Sequence, residues 1–347
     1  MLGSPLLAAL LGDADLEPLL DEAAELSAMV RFEAALAAAA AEHGVIPAAA
    51  GEAIEAALAA FAPDGAALVE AAARDGVVVP ELVSQLRAGV GAPHARHLHV
   101  GATSQDVIDT ALVLRLGPML VHIDRRLEAI GKAFAALDTR FGTCSLTGVT
   151  RMQPAVKILV GDRLRSWAAP LERHRRRLEA LQPELLVVQF GGPAGTLAAL
   201  GPAAEAVRRS LAARLGLADA PQWHSQRDRI AALGSVLAGI AGSLGKFGQD
   251  VALMAQAGDE IALSGGGGSS AMPHKRNPVA AEMLVALARF AAVQVSGLHQ
   301  ALVHEQERSG AAWTLEWLLL PPLLLATGAA TRIAGELAGD VTRLGSP

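Results

Sequence analysis

From Arg229 to Glu260, and again from Pro278 to Glu307, apolar residues recur at helical spacing with Gly and Ala scattered among them. Runs of roughly thirty residues at that period predict helices too long for a small domain. Small residues on their apolar faces let neighbouring helices approach closely, as inside a large bundle. The composition agrees: the chain is 52% hydrophobic but only 3% aromatic, with no tyrosine. Such a core suits helices better than sheets, which favour β-branched and aromatic residues.

Further helices are expected at Leu16 to about Glu42, Pro47–Phe61, Gly65–Ala73 and Glu81–Ala88. Ser104 to about Phe141 reads as one helix continuing past Gly117-Pro118. Pro154 to about Leu181 and Pro202–Leu215 follow, and Leu323 to about Ala338 resumes after a break at Pro321-Pro322. Only Thr143–Val149 and Leu185–Phe190 suggest strands, and neither begins a βα repeat. The expectation is an all-α fold.

At 347 residues the chain exceeds the usual size of a single core. The expected division is a helical domain over 1–96, a long-helix bundle over 97–320 and a short helical remnant over 321–347. A net charge of −6 argues against a general nucleic-acid binder. An anionic substrate must therefore be drawn by a local cationic cluster rather than by the bulk charge. The single cysteine, Cys144, excludes an internal disulfide and fits a reducing compartment. The apolar start from Met1 to Leu11 lacks a basic flank and soon meets Asp13 and Asp15, unlike a secretory signal. Ile230–Gly245 is glycine-interrupted and too short to span a bilayer, so no membrane partner is expected. A cytoplasmic protein is the expectation.

Three separated segments carry chemistry. The stretch from Gly265 to Pro278 holds four consecutive glycines, then Ser269, Ser270, Met272, Lys275 and Asn277 just before an apolar run. Glycines cost entropy on ordering, so their value here is a backbone able to close over something. Amides, a cation and an amide donor near a helix start suit a carboxylate or an oxyanion. The second segment, His99 to Asp106, opens a helix with Thr103 and Ser104, natural caps whose hydroxyls and nearby amides can hold a carboxylate. The third runs from Gly148 to Pro154 and offers Thr150, Arg151 and Gln153.

Together these strings resemble the fumarase/aspartase superfamily, lyases that cleave bonds β to a carboxylate, over roughly Arg31 to Arg332. The loop is similar to its GSSxMPxKxNP signature, the cap segment to its TSxD element and the third segment to its GxTxxQ element. The resemblance implies that Ser269 is the catalytic base and that Lys275 and Asn277 stabilise an aci-carboxylate intermediate. It implies that His99, Thr103, Ser104, Thr150, Arg151, Gln153, Ser270 and Met272 meet a small polycarboxylate substrate. It also implies homotetramers whose active sites draw on three subunits, no cofactor, and a C-terminal domain reduced or absent in this chain.

One departure selects a branch. Many relatives carry His directly after the threonine of GxTxxQ, where this chain has Arg151. A leaving amine or hydroxide needs a proton from a group such as His. A leaving carboxylate is already a stable anion near neutral pH. Opening or closing a muconolactone ring involves such a group, and Arg151 suits a substrate with extra carboxylates. This chain therefore resembles the superfamily's lactonising branch, the 3-carboxy-cis,cis-muconate cycloisomerases. Gln189–Leu197 and Trp223–Arg229 look like that branch too, with His224 and Arg227 as further substrate contacts and Asp228 and Arg229 as structural pairs.

Adenylosuccinate lyases, whose loop ends similarly, and a catalytically silent helical scaffold are the alternatives. His94, His97 and His99 lack the carboxylate or cysteine partners of a metal site, and no metal is expected. The basic run Arg173–Arg177 reads as a solvated or intersubunit ion-pair face. Glu305, Glu307 and Arg308, followed by Trp313, read as subunit contacts.

Overall fold

The computed structural model describes residues 4–272 and 274–346. Pro273 of the loop string and the Met1–Gly3 start of the apolar N-terminus lie outside them. The order is α1 (Pro5–Leu11), α2 (Glu22–Glu42), α3 (Ala48–Ala59), α4 (Gly65–Asp75), α5 (Val79–Val90) and α6 (Ser104–Phe141). A hairpin of β1 (Ser145–Thr150) and β2 (Gln153–Leu159) leads to α7 (Val160–Leu185) and α8 (Ala204–Leu215). Then come α9 (Asp228–Ala257), β3 (Ile261–Leu263), α10 (Val279–Gln300), α11 (Ala311–Asp340) and β4 (Val341–Leu344). The fold is all-α apart from two small antiparallel pairs, β1–β2 and β3–β4.

Two apolar cores form. The larger lies among α6, α7, α9, α10 and α11, with Phe134, Trp167 and Phe247 clustered at centroid separations of 4.9–5.9 Å and Phe247 meeting both other rings edge to face. The smaller gathers α2, α3 and α5 with the start of α6, with α8 and with Trp313. It thus crosses the boundary expected at 96/97, since Leu98, Val107, Ile108 and Ala111 belong to it. The small-residue reading of the long helices is visible between α9 and α10: a Cβ on Gly245 would stand 2.4 Å from that of Ala288.

Three expectations are corrected. Pro154–Leu159 is strand, because Pro154 sits at an edge that tolerates a missing donor and the segment pairs with β1. Leu185–Phe190 forms no strand, only an isolated bridge from Val187 to Ala218. The break at Pro321-Pro322 does not occur: α11 runs through both prolines, so a boundary at 320/321 cuts a helix. An interior proline costs about 3 kcal/mol. Burial of Leu320 and Leu323–Leu325 on either side offsets it.

The bundle has two distinct ends. α6 holds 38 residues, about 57 Å at 1.5 Å per residue. Thr103 caps its start, and the hairpin follows its finish. At the start, Arg227 before α9 and Trp313 near the head of α11 meet Asp109 of α6. At the finish, Glu260 after α9 bonds Thr147 of β1, and Ser264 bonds Asp340 at the end of α11.

By length and composition α9, α10 and α11 could each cross a membrane, so the expectation that the Ile230–Gly245 stretch is too short to span one is corrected: it continues within the 30-residue α9. The apolar stretches of α9 and α11 are 56% and 67% buried within the chain, but that of α10 only 22%. Phe290 and Val293 stand out on its open face.

Candidate active site

Asp106 organises the start of α6. It is fully buried and accepts from five donors: His224 Nε2 at 2.8 Å, Gln189 Nε2 at 3.1 Å, and the amides of Gly191, Gly192 and Thr103 at 2.9, 2.9 and 3.0 Å. A carboxylate offers about four lone-pair positions, so this one is saturated and unavailable to substrate. It locks the cap to the 189–192 segment, where a Cβ on Gly192 would meet the Gly101 carbonyl at 2.7 Å. Those glycines serve close approach of two backbones.

Behind Asp106 lies an ion cluster. Arg227 donates to Asp109 at 2.6 Å and to Glu316 at 2.9 Å, and Trp313 Nε1 donates to Asp109 at 3.0 Å. Burial works against the Arg227 charge, but Asp109 and Glu316 override it and raise its affinity for the proton. The expectation that His224 and Arg227 touch substrate is therefore corrected. They are 0% and 2% exposed within one chain, a burial that no assembly can undo, and both are committed to carboxylates.

Arg308, exposed, donates to Thr103 Oγ1 at 2.7 Å and to Gln105 Oε1 at 3.3 Å. It thereby sits at the helix N-terminus, where the peptide dipoles already favour an anion. His99, half-buried, lies four residues before the cap and bonds Glu33 through Nδ1 at 2.6 Å. Sequence reasoning placed Arg308 at a subunit contact and missed Glu33; their partners lie 205 and 66 positions away.

At the opposite end the loop leaves β3 and returns at α10. Gly267 and Asn277 exchange backbone hydrogen bonds of 2.9 and 2.8 Å, pinching it into a flap. Within the flap the Met272 amide donates to Ser269 Oγ at 3.2 Å, and Lys275 N donates to the Met272 carbonyl at 3.0 Å. Ser270, Met272 and Lys275 are exposed, and Ser269 and Asn277 half-exposed. Thr150, Arg151 and Gln153 stand exposed at the hairpin tip, with Arg151 and Met152 at positive φ in the turn.

Loop and hairpin share a footing. Glu260 Oε1 accepts from Thr147 N at 2.8 Å and from Thr147 Oγ1 at 2.7 Å. Burial pushes the Glu260 carboxyl up, but the Thr147 bonds and nearby Lys157 hold it below its ordinary value. β4 pairs with β3, and beyond it Ser346 bridges to Ser145 of β1.

The sequence-derived residues thus fall into two groups: His99, Thr103 and Ser104 at one end, Thr150, Arg151, Gln153 and the loop at the other. Among the described residues no hydrogen bond or ion pair joins the groups. A six-residue strand reaches about 20 Å, so even a hairpin folded back along α6 leaves a gap far larger than a small acid.

A family description termed lyase matches residues 19–297. The chain belongs to this lyase family. It is 46% identical over 323 residues to the 3-carboxy-cis,cis-muconate cycloisomerase of Pseudomonas aeruginosa, covering 90% of this chain and 70% of that protein. The crystal structure of the 3-carboxy-cis,cis-muconate lactonizing enzyme from Pseudomonas putida matches with TM-score 0.91 at 39% identity, over 98% of this chain and 77% of that one. A fumarate lyase from Mesorhizobium sp. BNC1 matches with TM-score 0.90 at 34% identity, over 96% and 76%. Membership in the family and the all-α fold, both expected from the sequence, are borne out.

The remaining decoys resolve structurally. His174, within the supposed solvated basic run, is buried against Ser243, and burial with Arg177 and Arg173 pushes its pKa down to about 4. Arg175 in the same run pairs with Asp124. Asp13, Asp15 and His122 cluster closely enough for a metal, but Arg126 bonds both carboxylates and supplies their counter-charge.

Proposed function

We propose that this chain is a 3-carboxy-cis,cis-muconate cycloisomerase, interconverting that triacid and 4-carboxymuconolactone. The observation carrying this reading is 46% identity to a named cycloisomerase across 90% of the chain, with Arg151 where many relatives have His. A substrate carboxylate adds to the conjugated double bond, forming a C–O bond and a carbanion held as an aci-carboxylate. Lys275, Asn277 and the loop amides stabilise its charge. The Ser269 hydroxyl delivers the proton to carbon, and its alkoxide then regains one from solvent. In the reverse direction Ser269 acts as base. The reaction moves a proton and closes a ring, so its stoichiometry calls for no redox or nucleotide cofactor. Protocatechuate breakdown in the cytoplasm is the setting this implies.

The two-ended distribution supports self-association. If the cap of α6, the hairpin and the loop all contact one small molecule, they come from different copies. The open apolar face of α10, with Phe290 and Val293, suits burial against another copy. A homotetramer with shared sites is the assembly proposed.

A fumarate-releasing lyase is the second reading, favoured by the nearly equal fold match to the Mesorhizobium fumarate lyase. An ultraviolet assay separates the two. Loss of diene absorbance from 3-carboxy-cis,cis-muconate, absent in Ser269→Ala, supports the first. No change there, with fumarate released from adenylosuccinate or another substituted succinate, replaces it with the second.

A further inference from the structure

α2 presents mostly alanines and large apolar residues to the smaller core, with one exception. Glu33 is 0% exposed, on the helix that also buries Met29, Phe32 and Leu36. A buried carboxylate is costly unless a donor meets it. Its Oε1 lies 2.6 Å from His99 Nδ1, while its Oε2 is buried without a partner. His99 occupies this place with a backbone φ of 66°, the left-handed region that costs a side-chain-bearing residue about 1–2 kcal/mol. Two unfavourable features, a buried acid and a strained backbone, meet at a single contact.

That contact fixes the ring. A carboxylate only accepts, so Nδ1 carries the hydrogen and Nε2 becomes the nitrogen left for other chemistry. Among the described residues Nε2 has no hydrogen-bond partner, and 17% of the side chain remains exposed. His99 precedes by four residues Thr103, the cap of α6 that Arg308 bonds.

We propose that Glu33 is a positioning residue that holds His99 as an imidazolium, with its Nε2–H offered to a substrate carboxylate at the start of α6. This deepens the polycarboxylate reading above and rests on it. The charged groups acting on the ring are Glu33 from α2, Arg87 from α5 and Asp106 of α6. Burial opposes the charged ring and Arg87 adds to that opposition, but Glu33 and then Asp106 outweigh them, leaving the His99 pKa above its ordinary value. Without Glu33 the ring loses its largest favourable neighbour. A neutral ring free to rotate could then turn a lone pair toward the incoming anion.

The test is a histidine ring NMR titration of the full-length protein, with His99→Asn identifying the resonance, alongside kinetics on 3-carboxy-cis,cis-muconate. In wild type His99 should titrate above about 6.5. Glu33→Gln should lower that midpoint by about one unit or more. It should also raise KM roughly tenfold with a smaller change in kcat, and move the alkaline limb of kcat/KM to lower pH. The double variant with His99→Asn should be no worse than His99→Asn alone. An unchanged His99 midpoint in Glu33→Gln, or lost activity with an unchanged pH profile, overturns the proposal. If Glu33→Gln does not fold, a wild-type midpoint at or below 6.5 overturns it alone. If wild type is inactive on the muconate, the cycloisomerase reading fails separately. Tricarballylate then probes the site: a shift of the His99 resonance on its addition supports the positioning role, and no shift overturns it.

Discussion

The two ends of the bundle are built on opposite principles. At the head of α6, Asp106, Asp109, Gln105, Thr110, Gln189, His224, Arg227 and Glu316 are all buried and cross-bonded, and they hold the helix terminus in place. At the hairpin and loop end, Thr150, Arg151, Gln153, Ser270 and Lys275 are exposed, with few bonds beyond their own turns. In the function proposed above, the first end would recognise a fixed charge and gain from pre-organisation. The second would admit substrate and then shut out water, which a weakly held backbone suits. Rigidity and looseness are allotted according to the work proposed for each end.

The comparison can be broken at either side. The largest effect should come from Ser269→Ala, with kcat lost roughly a thousandfold or more and the melting temperature unchanged within a degree or two. A large drop in melting temperature would show that Ser269 holds structure instead. Co-refolding Ser269→Ala with an inactive Thr103→Ala should restore partial activity, because hybrid assemblies contain some sites with both ends intact. Failure of every such mixture would argue that one chain forms the whole site.

Next comes the rigid end. Asp109→Ala leaves Arg227 with one carboxylate in a buried site and should cost about 3–5 kcal/mol by urea unfolding. A cost below about 1 kcal/mol would mean the cluster is not the foundation described here.

The ends should also differ in how pH loosens them. The raised His99 value makes its contribution fully present below about pH 6.5 and lost as pH rises through the folded value. The depressed Glu260 value works the other way: its contribution is present above about pH 4.5 and lost as pH falls through the folded value. Glu33→Gln should therefore converge with wild type in stability as pH rises past neutrality, and Glu260→Gln as pH falls below about 4.5, each difference being smaller than that of Asp109→Ala. The smallest effect is expected at Gly268, where an added Cβ meets nothing within 4 Å. Gly268→Ala should change stability by less than about 0.5 kcal/mol, so any fall in kcat would report loop motion.

Much of this was legible in the chain. Ser104–Phe141 follows its apolar period from end to end, and the serine-rich loop and TSxD strings name their family. What escaped was what tertiary contacts decide. Glu33 reads as an ordinary polar position in an alanine-rich helix, since only the fold brings His99 to it. Arg227 lies in a motif that invites a substrate role, yet its partners Asp109 and Glu316 stand 118 and 89 positions away. The strand at Pro154–Leu159 is too short for its period to declare itself, and α11 survives two prolines because its flanking leucines are buried.

The strand β4 has a mechanical consequence. It and the two residues after it stitch β3, at the root of the flap, to Ser145, at the root of the hairpin. Both tips therefore rise from a single plinth, and Gly267 and Asn277 cross above it. The described residues between those two bond only within the loop, so displacing the loop need not drag the hairpin along. If the hairpin tip meets the substrate as proposed, substitutions there should change which acid is bound without altering the loop.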